Sequence, residues 1–94
     1  MIVNGVDLTP VIKIYVAGLD KKITEIKNYI EKNDKEAIIN FGHKLKGSGK
    51  SYGFAELSDI GKKIQDLRDN FALEKLNEYV NDFENIVNKL QKEN

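Results

Sequence analysis

The sequence predicts an all-α fold, an antiparallel four-helix bundle with a short additional N-terminal helix. Apolar residues recur at spacings of three and four along most of the chain, which marks helices with one buried side. The breaks between these runs are only two to four residues long, so consecutive helices must lie antiparallel. No stretch alternates polar and apolar residues over more than a few positions, and no strand is expected.

Met1 to Leu8 reads as an extended lead-in with a turn at Asn4-Gly5. Thr9 followed by Pro10, the only proline, is the N-cap and N1 arrangement that opens a helix. Val11, Ile12, Tyr15, Val16 and Leu19 form its apolar stripe, and Gly18 marks a bend into a second helix from Leu19 to Lys32, with Leu19, Ile23, Ile26 and Ile30 inward. Asn33-Asp34 makes a tight connection, with Asp34 as N-cap of a third helix that extends to about Ser51. Gly53, after Tyr52, supplies the left-handed residue that ends it. Phe54, Leu57, Ile60, Gly61, Ile64 and Leu67 define a fourth helix closing near Asn70. The last runs from about Ala72 to Gln91, with Leu73, Leu76, Val80, Phe83, Val87 and Leu90 inward. Phe41, Tyr52 and Phe54 are assigned to the core. With no repeat and no internal linker, residues 1–94 read as one domain.

Ninety-four residues with 40 % apolar content support a modest core without crosslink or cofactor. Cysteine is absent, which excludes a disulfide framework, a thiolate metal site and a cysteine nucleophile. Neither a membrane-spanning apolar run nor a secretion leader is visible, so a soluble cytoplasmic protein is expected. Basic and acidic residues balance at 15 each, against the basic surplus that nucleic-acid binding needs. Their placement is uneven. Between Ala37 and Lys63 five lysines face only Glu56 and Asp59, whereas Ile64 to Asn94 holds seven acids and four bases. The basic segment suits steering toward an acidic partner site, although a solvated helix face shows the same bias.

The only histidine, His43, lies in that basic segment, in the run Gly42-His43-Lys44-Leu45-Lys46-Gly47-Ser48-Gly49-Lys50. Each glycine inside a helix costs about 1 kcal/mol relative to alanine, so stability alone does not explain three of them. At about 100° per residue, Asp34, Ile38, Phe41, Leu45, Ser48 and Tyr52 gather on one side of the third helix. His43 points about 180° from the centre of that side and faces solvent, with Ile39, Glu36, Lys46, Gly47 and Lys50 nearest to it. A side chain at position 47 would lie over His43, because helical side chains cover the turn before their own Cα. Gly47 therefore leaves the imidazole uncovered. Gly42 and Gly49 predict a locally loosened helix, Gly49 also suiting close packing at the core edge.

His43-Lys44-Leu45-Lys46-Gly47-Ser48, followed by Tyr52-Gly53-Phe54 and Leu57, resembles the histidine phosphotransfer (HPt) domain. The signature of that family is a histidine with leucine, lysine and glycine at the second, third and fourth positions after it, then a glycine about ten residues on, here Gly53. The resemblance spans nearly the whole chain. It implies a phosphoryl carrier rather than an enzyme: a protein without an ATP site that accepts a phosphoryl group from a receiver-domain aspartyl phosphate and passes it to another receiver. No Gly-rich phosphate loop is present here either.

Under that resemblance His43 is the phosphoacceptor, acting through Nε2, the outer ring nitrogen, since a neutral imidazole nitrogen carries the lone pair that can attack phosphorus. Phosphoryl transfer asks mainly for in-line positioning and charge stabilisation. Lys46, one turn on, is placed to lay its ammonium against the phosphoryl oxygens. Gly47 gives clearance, and Gln65 stands where some family members use a glutamine to orient the ring. Lys50 and Lys62 or Lys63 add positive potential for partner binding. Ile39 is either a scattered surface residue or part of the receiver-docking patch. No cofactor and no metal site are expected, because the ion that neutralises an aspartyl phosphate belongs to the receiver. The expected partners are response-regulator receiver domains and a sensor histidine kinase, with no nucleic acid or membrane, and the chain is expected to be a monomer. Two other readings stand beside this one: the phosphoacceptor domain of a chemotaxis-type histidine kinase, and a helical adaptor that binds receivers without transfer.

Overall fold

Local backbone rules set most element boundaries in the computed structural model, which describes residues 2–93. Met1, part of the predicted lead-in, lies outside the described residues. The lead-in is a minimal hairpin in place of the strand-free segment expected. β1 (Ile2–Val3) and β2 (Val6–Asp7) pair antiparallel, Ile2 opposite Asp7 and Val3 opposite Val6. Asn4 and Gly5, with φ of 52° and 80°, both adopt positive φ, the requirement of a two-residue turn whose twist suits a hairpin. Turn chemistry pairs its flanks even where no alternation announces a strand.

The hairpin also changes how the first helix is capped. α1 (Thr9–Ala17) includes Thr9 rather than using it as N-cap; Leu8 holds that position without a side-chain bond. Asp7 Oδ1 accepts the Thr9 N–H at 3.0 Å instead. Hydrogen bonds from Thr9, chiefly from its side chain, hold the Asp7 carboxyl below its ordinary value. Gly18 separates α1 from α2 (Leu19–Glu31), as the stripe pattern requires. Asn33 takes a positive φ of 55°, and Asp34 Oδ1 accepts the Ala37 N–H at 3.1 Å, opening α3 (Lys35–Ser51).

The end of α3 is a Schellman closure. Phe54 N–H donates to Gly49 O at 2.7 Å and Gly53 N–H donates to Lys50 O at 3.2 Å, with Gly53 at φ 83°. α4 (Ala55–Asp66) ends short of the predicted Asn70. Tight bonds from Leu67 N–H to Ile64 O and from Arg68 N–H to Gln65 O wind up its last turn, and Leu67 is buried there. α5 (Leu73–Glu93) closes the chain.

The protein is all-α apart from the hairpin. α3 packs chiefly against α4 and also against α2; α5 packs on α2 and α4, and α1 lies against α5 and α2. Phe83 is fully buried and meets Phe41 edge-on at 5.9 Å, with Leu19, Ile26, Leu45, Leu57, Ile64 and Val87 around them. Leu73 and Val11, both read as inward, are about half exposed: Leu73 precedes the turn at which α5 meets the core, and Val11 lies beyond the contact made by Val16 and Leu19. Tyr52 and Phe54, assigned to the core, are half-buried and stack on Tyr15 at 4.2 and 6.0 Å.

Two further expectations about α3 are corrected by its neighbours. Helices on two sides bury a wider arc than one apolar stripe indicates. Ile39, placed beside His43 on the solvent side, is 7 % exposed and faces a groove formed with Leu67 and Phe71, so it offers almost no docking surface. Gly42 and Gly49 do not loosen the helix but let two backbones meet. A Cβ on Gly42 would stand 2.6 Å from Gln65 N, and one on Gly49 would stand 2.6 Å from Ser58 N. From the other side, a Cβ on Gly61 would collide with Lys46 N and Gly42 O.

Gly47 is the contrast, with nothing within 4 Å of an added Cβ. Gly61→Ala is therefore expected to destabilise by about 1–3 kcal/mol or more through overpacking. Gly47→Ala is expected to stabilise by up to about 1 kcal/mol through helix propensity. Urea unfolding of the two variants checks this; equal effects would contradict the close approach of α3 and α4.

Candidate functional site

His43 stands on the exposed side of α3 at the rim of its contact with α4. Because Gly42, the residue before it, abuts Gln65 N, the two helices are close enough for Gln65 to reach across. Gln65 Nε2 lies 3.2 Å from His43 Nδ1. Nε2 of the ring, on the side away from Gln65, makes no hydrogen bond to any described residue. The imidazole is thus held through one nitrogen and presents the other.

The lysines differ in what they offer. Lys46 is half-buried, its backbone N against Gly61 where α3 and α4 touch, so its position is fixed relative to His43 one turn before it. Lys50 is exposed a turn further on, above a shallow depression shared with Gly53, Ala55, Ser58 and Asp59. Lys62 is bound to Asp66 at 2.7 Å, a hydrogen bond that raises the lysine pKa from its ordinary value, so its field is largely offset locally. Lys63 is turned toward α5, its Nζ 5.9 Å from the ring centre of Tyr79. His43, Lys46, Gly47 and Gln65 are brought together, Lys50 borders them, and Ile39 is beneath the surface. Asp66, which sequence reasoning passed over, was legible as the acid four positions after Lys62.

The other end of the exposed face is secured by aromatic packing. Tyr15 stacks on Tyr52, and its hydroxyl is 2.9 Å from Ser48 Oγ, next to Gly47. Ser48 Oγ also donates to Leu45 O at 3.4 Å, which leaves the Tyr15 hydroxyl as donor to Ser48 in that arrangement. α1 is thereby tied to α3 one residue from the open glycine. Among the described residues, no group of three or more His, Cys, Asp or Glu side chains is placed to hold a metal ion. Among the same residues, no helix is long and apolar enough to cross a membrane.

The family model of the Hpt domain matches residues 10–93, and the chain belongs to that family. No curated protein and no solved structure matches it. Hpt domains are phosphocarrier modules, not catalytic enzymes, and they work with receiver domains and kinases in the phosphorelays of two-component signalling.

Burial raises the Tyr15 phenol above its ordinary value. The unfolded chain therefore loses that proton first as pH rises, and the stability contribution, fully present below the ordinary tyrosine pKa of about 10, is lost through the higher folded value. Tyr15→Phe is expected to flatten the alkaline fall in stability above about pH 10 while costing about 1 kcal/mol near neutral pH for the lost bond to Ser48. Denaturant midpoints across that range check it; an unchanged alkaline slope would contradict the burial of the phenol.

Proposed function

We propose that this chain, one HPt-type domain across residues 1–94, is a relay carrier. It takes a phosphoryl group from a receiver-domain aspartyl phosphate onto His43 Nε2 and passes it to a second receiver. We read its helices as the antiparallel bundle α2–α5 with α1 as the additional helix, acting as a monomer. The observation that carries the reading is the arrangement around the exposed ring: Nδ1 is engaged by Gln65, Nε2 has no hydrogen-bond partner among the described residues, and Gly47 one turn on leaves open space.

The chemistry follows from that arrangement. The Nε2 lone pair attacks phosphorus in line with the scissile O–P bond, and the receiver carboxylate leaves. In the return step a second receiver carboxylate attacks and the imidazole leaves. Three equatorial oxygens carry the charge during transfer, and Lys46, one helical turn after His43 on the same side, is the cation placed to meet them. The barrier is lowered mainly by positioning, so access for the receiver's acidic pocket matters, and Gly47 provides it. Lys50 and Lys62 contribute positive potential at the margin, Lys62 the less because of Asp66. The cation that neutralises the aspartyl phosphate is the receiver's own.

Incubation with a phosphorylated receiver is expected to place acid-labile, base-stable phosphate on His43 alone. His43→Gln is expected to abolish this labelling while leaving the melting temperature within a few degrees, because the side chain is exposed. Labelling only by a kinase catalytic domain would favour the chemotaxis-type reading, and receiver binding without labelling would favour the adaptor.

Lys46→Ala is expected to slow transfer by about 10–100-fold, corresponding to about 1.4–2.7 kcal/mol of lost charge stabilisation. Gly47→Glu is expected to slow it at least as much, by covering Nε2 and repelling the phosphoryl oxygens. Rapid-quench measurement of receiver-to-His43 transfer checks both, and wild-type rates would remove the roles assigned to the ammonium and to the clearance.

A further inference from the structure

Among the described residues, Gln65 is the side chain hydrogen-bonded to the ring of His43, and its amide is in contact through nitrogen, 3.2 Å from Nδ1. In that orientation the amide N–H donates, Nδ1 accepts, and a neutral ring carries its proton on Nε2. This is the wrong form for attack, since the outward nitrogen then has no free lone pair. Turned by about 180° about its last side-chain bond, the amide presents Oε1 at the same place and accepts from Nδ1–H, which leaves the Nε2 lone pair free. The two orientations are equal in shape and opposite in hydrogen-bonding sense.

We infer that Gln65 is a two-way positioning residue, whose amide turns over during each phosphoryl cycle to match the proton content of Nδ1. This inference rests on His43 as the acceptor. Before transfer, Oε1 holds Nδ1–H and Nε2 is the nucleophile. When the P–Nε2 bond forms and the donor's O–P bond breaks, the ring is left cationic, still with Nδ1–H on Oε1. Loss of that proton to water gives a neutral phosphoimidazole whose Nδ1 accepts from the reversed amide, the orientation present in the structure. For release, Nδ1 regains a proton from water, the amide turns back, and the ring leaves with its electron pair on Nε2 and its proton on Nδ1.

The backbone supports such a role. Gly42 against Gln65 N sets the distance between the two helices through the backbone, so the root of the side chain is fixed while its amide meets Nδ1. A carboxylate at position 65 would only accept. It would favour Nδ1–H at every stage and hold the phosphorylated ring in its labile, protonated form. An apolar side chain would serve neither stage. Glutamine suits a carrier that must be loaded, stable while waiting, and discharged.

The test compares wild type with Gln65→Glu and Gln65→Leu, each loaded with the small-molecule donor phosphoramidate so that no receiver is needed. The charged residues around the ring's stretch of the two helices are Glu36, Lys44, Lys46 and Lys50 on α3, Lys62 and Asp66 on α4, and Arg68 and Asp69 in the segment that follows α4. They are identical in all three proteins. The pH midpoint of phosphohistidine hydrolysis is expected to rise by about one unit in Gln65→Glu, shortening its lifetime about tenfold above the wild-type midpoint. Gln65→Leu is expected to show a midpoint at or below that of wild type. In the unphosphorylated proteins, ring 15N shifts at pH 8 are expected to report mainly Nδ1–H in Gln65→Glu, more Nε2–H in Gln65→Leu, and wild type between them.

A common midpoint and a common tautomer ratio in all three would overturn the inference while leaving His43 as acceptor. Failure of phosphoramidate to load His43 in any of them would overturn the acceptor assignment, and the inference with it.

Discussion

Everything at the exposed face depends on the approach of α3 to α4. Two helices ordinarily keep apart by the thickness of their side chains, about 8–10 Å between axes. Here Gly42, Gly49 and Gly61 remove those side chains at successive crossings, and backbone nitrogen and carbonyl groups of one helix take up the space on the other. Gln65, a short side chain for bridging two helices, reaches His43 only because of this. The cost is conformational. Glycines within helices give up about 1 kcal/mol each relative to alanine, and packing of the buried strip formed by Leu57, Ile60 and Ile64 on α4 offsets it.

The fourth glycine of the α3–α4 pair has a separate physical meaning. Gly47 has the same helical cost and no packing return, since an added Cβ would meet nothing. Residues that are unfavourable for the helix and useless to the core belong to what the surface does. The open space lies one turn beyond His43, on the side a helical side chain would otherwise cover. Glycine thus serves two purposes on one helix, close approach toward α4 and access toward solvent, and only their different faces tell them apart.

That distinction marks the limit of what was legible in one dimension. Signals that act over a few residues were readable: Asp34 capping α3, Gly53 closing it, Asn4-Gly5 turning the chain, and the motif from His43 to Gly47. Signals that depend on a second neighbour were not. A projection of α3 alone found the stripe through Ile38, Phe41 and Leu45 but left Ile39 outside, because α4 buries a second arc that glycine, without hydrophobic character, does not advertise. Gly42 read as a weakness for the same reason, whereas the close packing that Gly49 also suggested is what the structure shows. Likewise Lys62 looked like a free cation until Asp66 stood beside it, and Thr9 looked like a cap until the hairpin brought Asp7 back over the start of α1.

The account assigns different jobs to the two nitrogens of one ring: Nδ1 meets Gln65 of α4, and Nε2 is the atom proposed to carry the phosphoryl group. The most direct measurement is the position of the bond to phosphorus, read from one-bond 31P–15N coupling in the phosphorylated, 15N-labelled protein. Coupling to His43 Nε2, with Nδ1 uncoupled, is the predicted result. Coupling to Nδ1 would require the ring to leave Gln65 and turn over, and would contradict the geometry on which the proposed transfer rests.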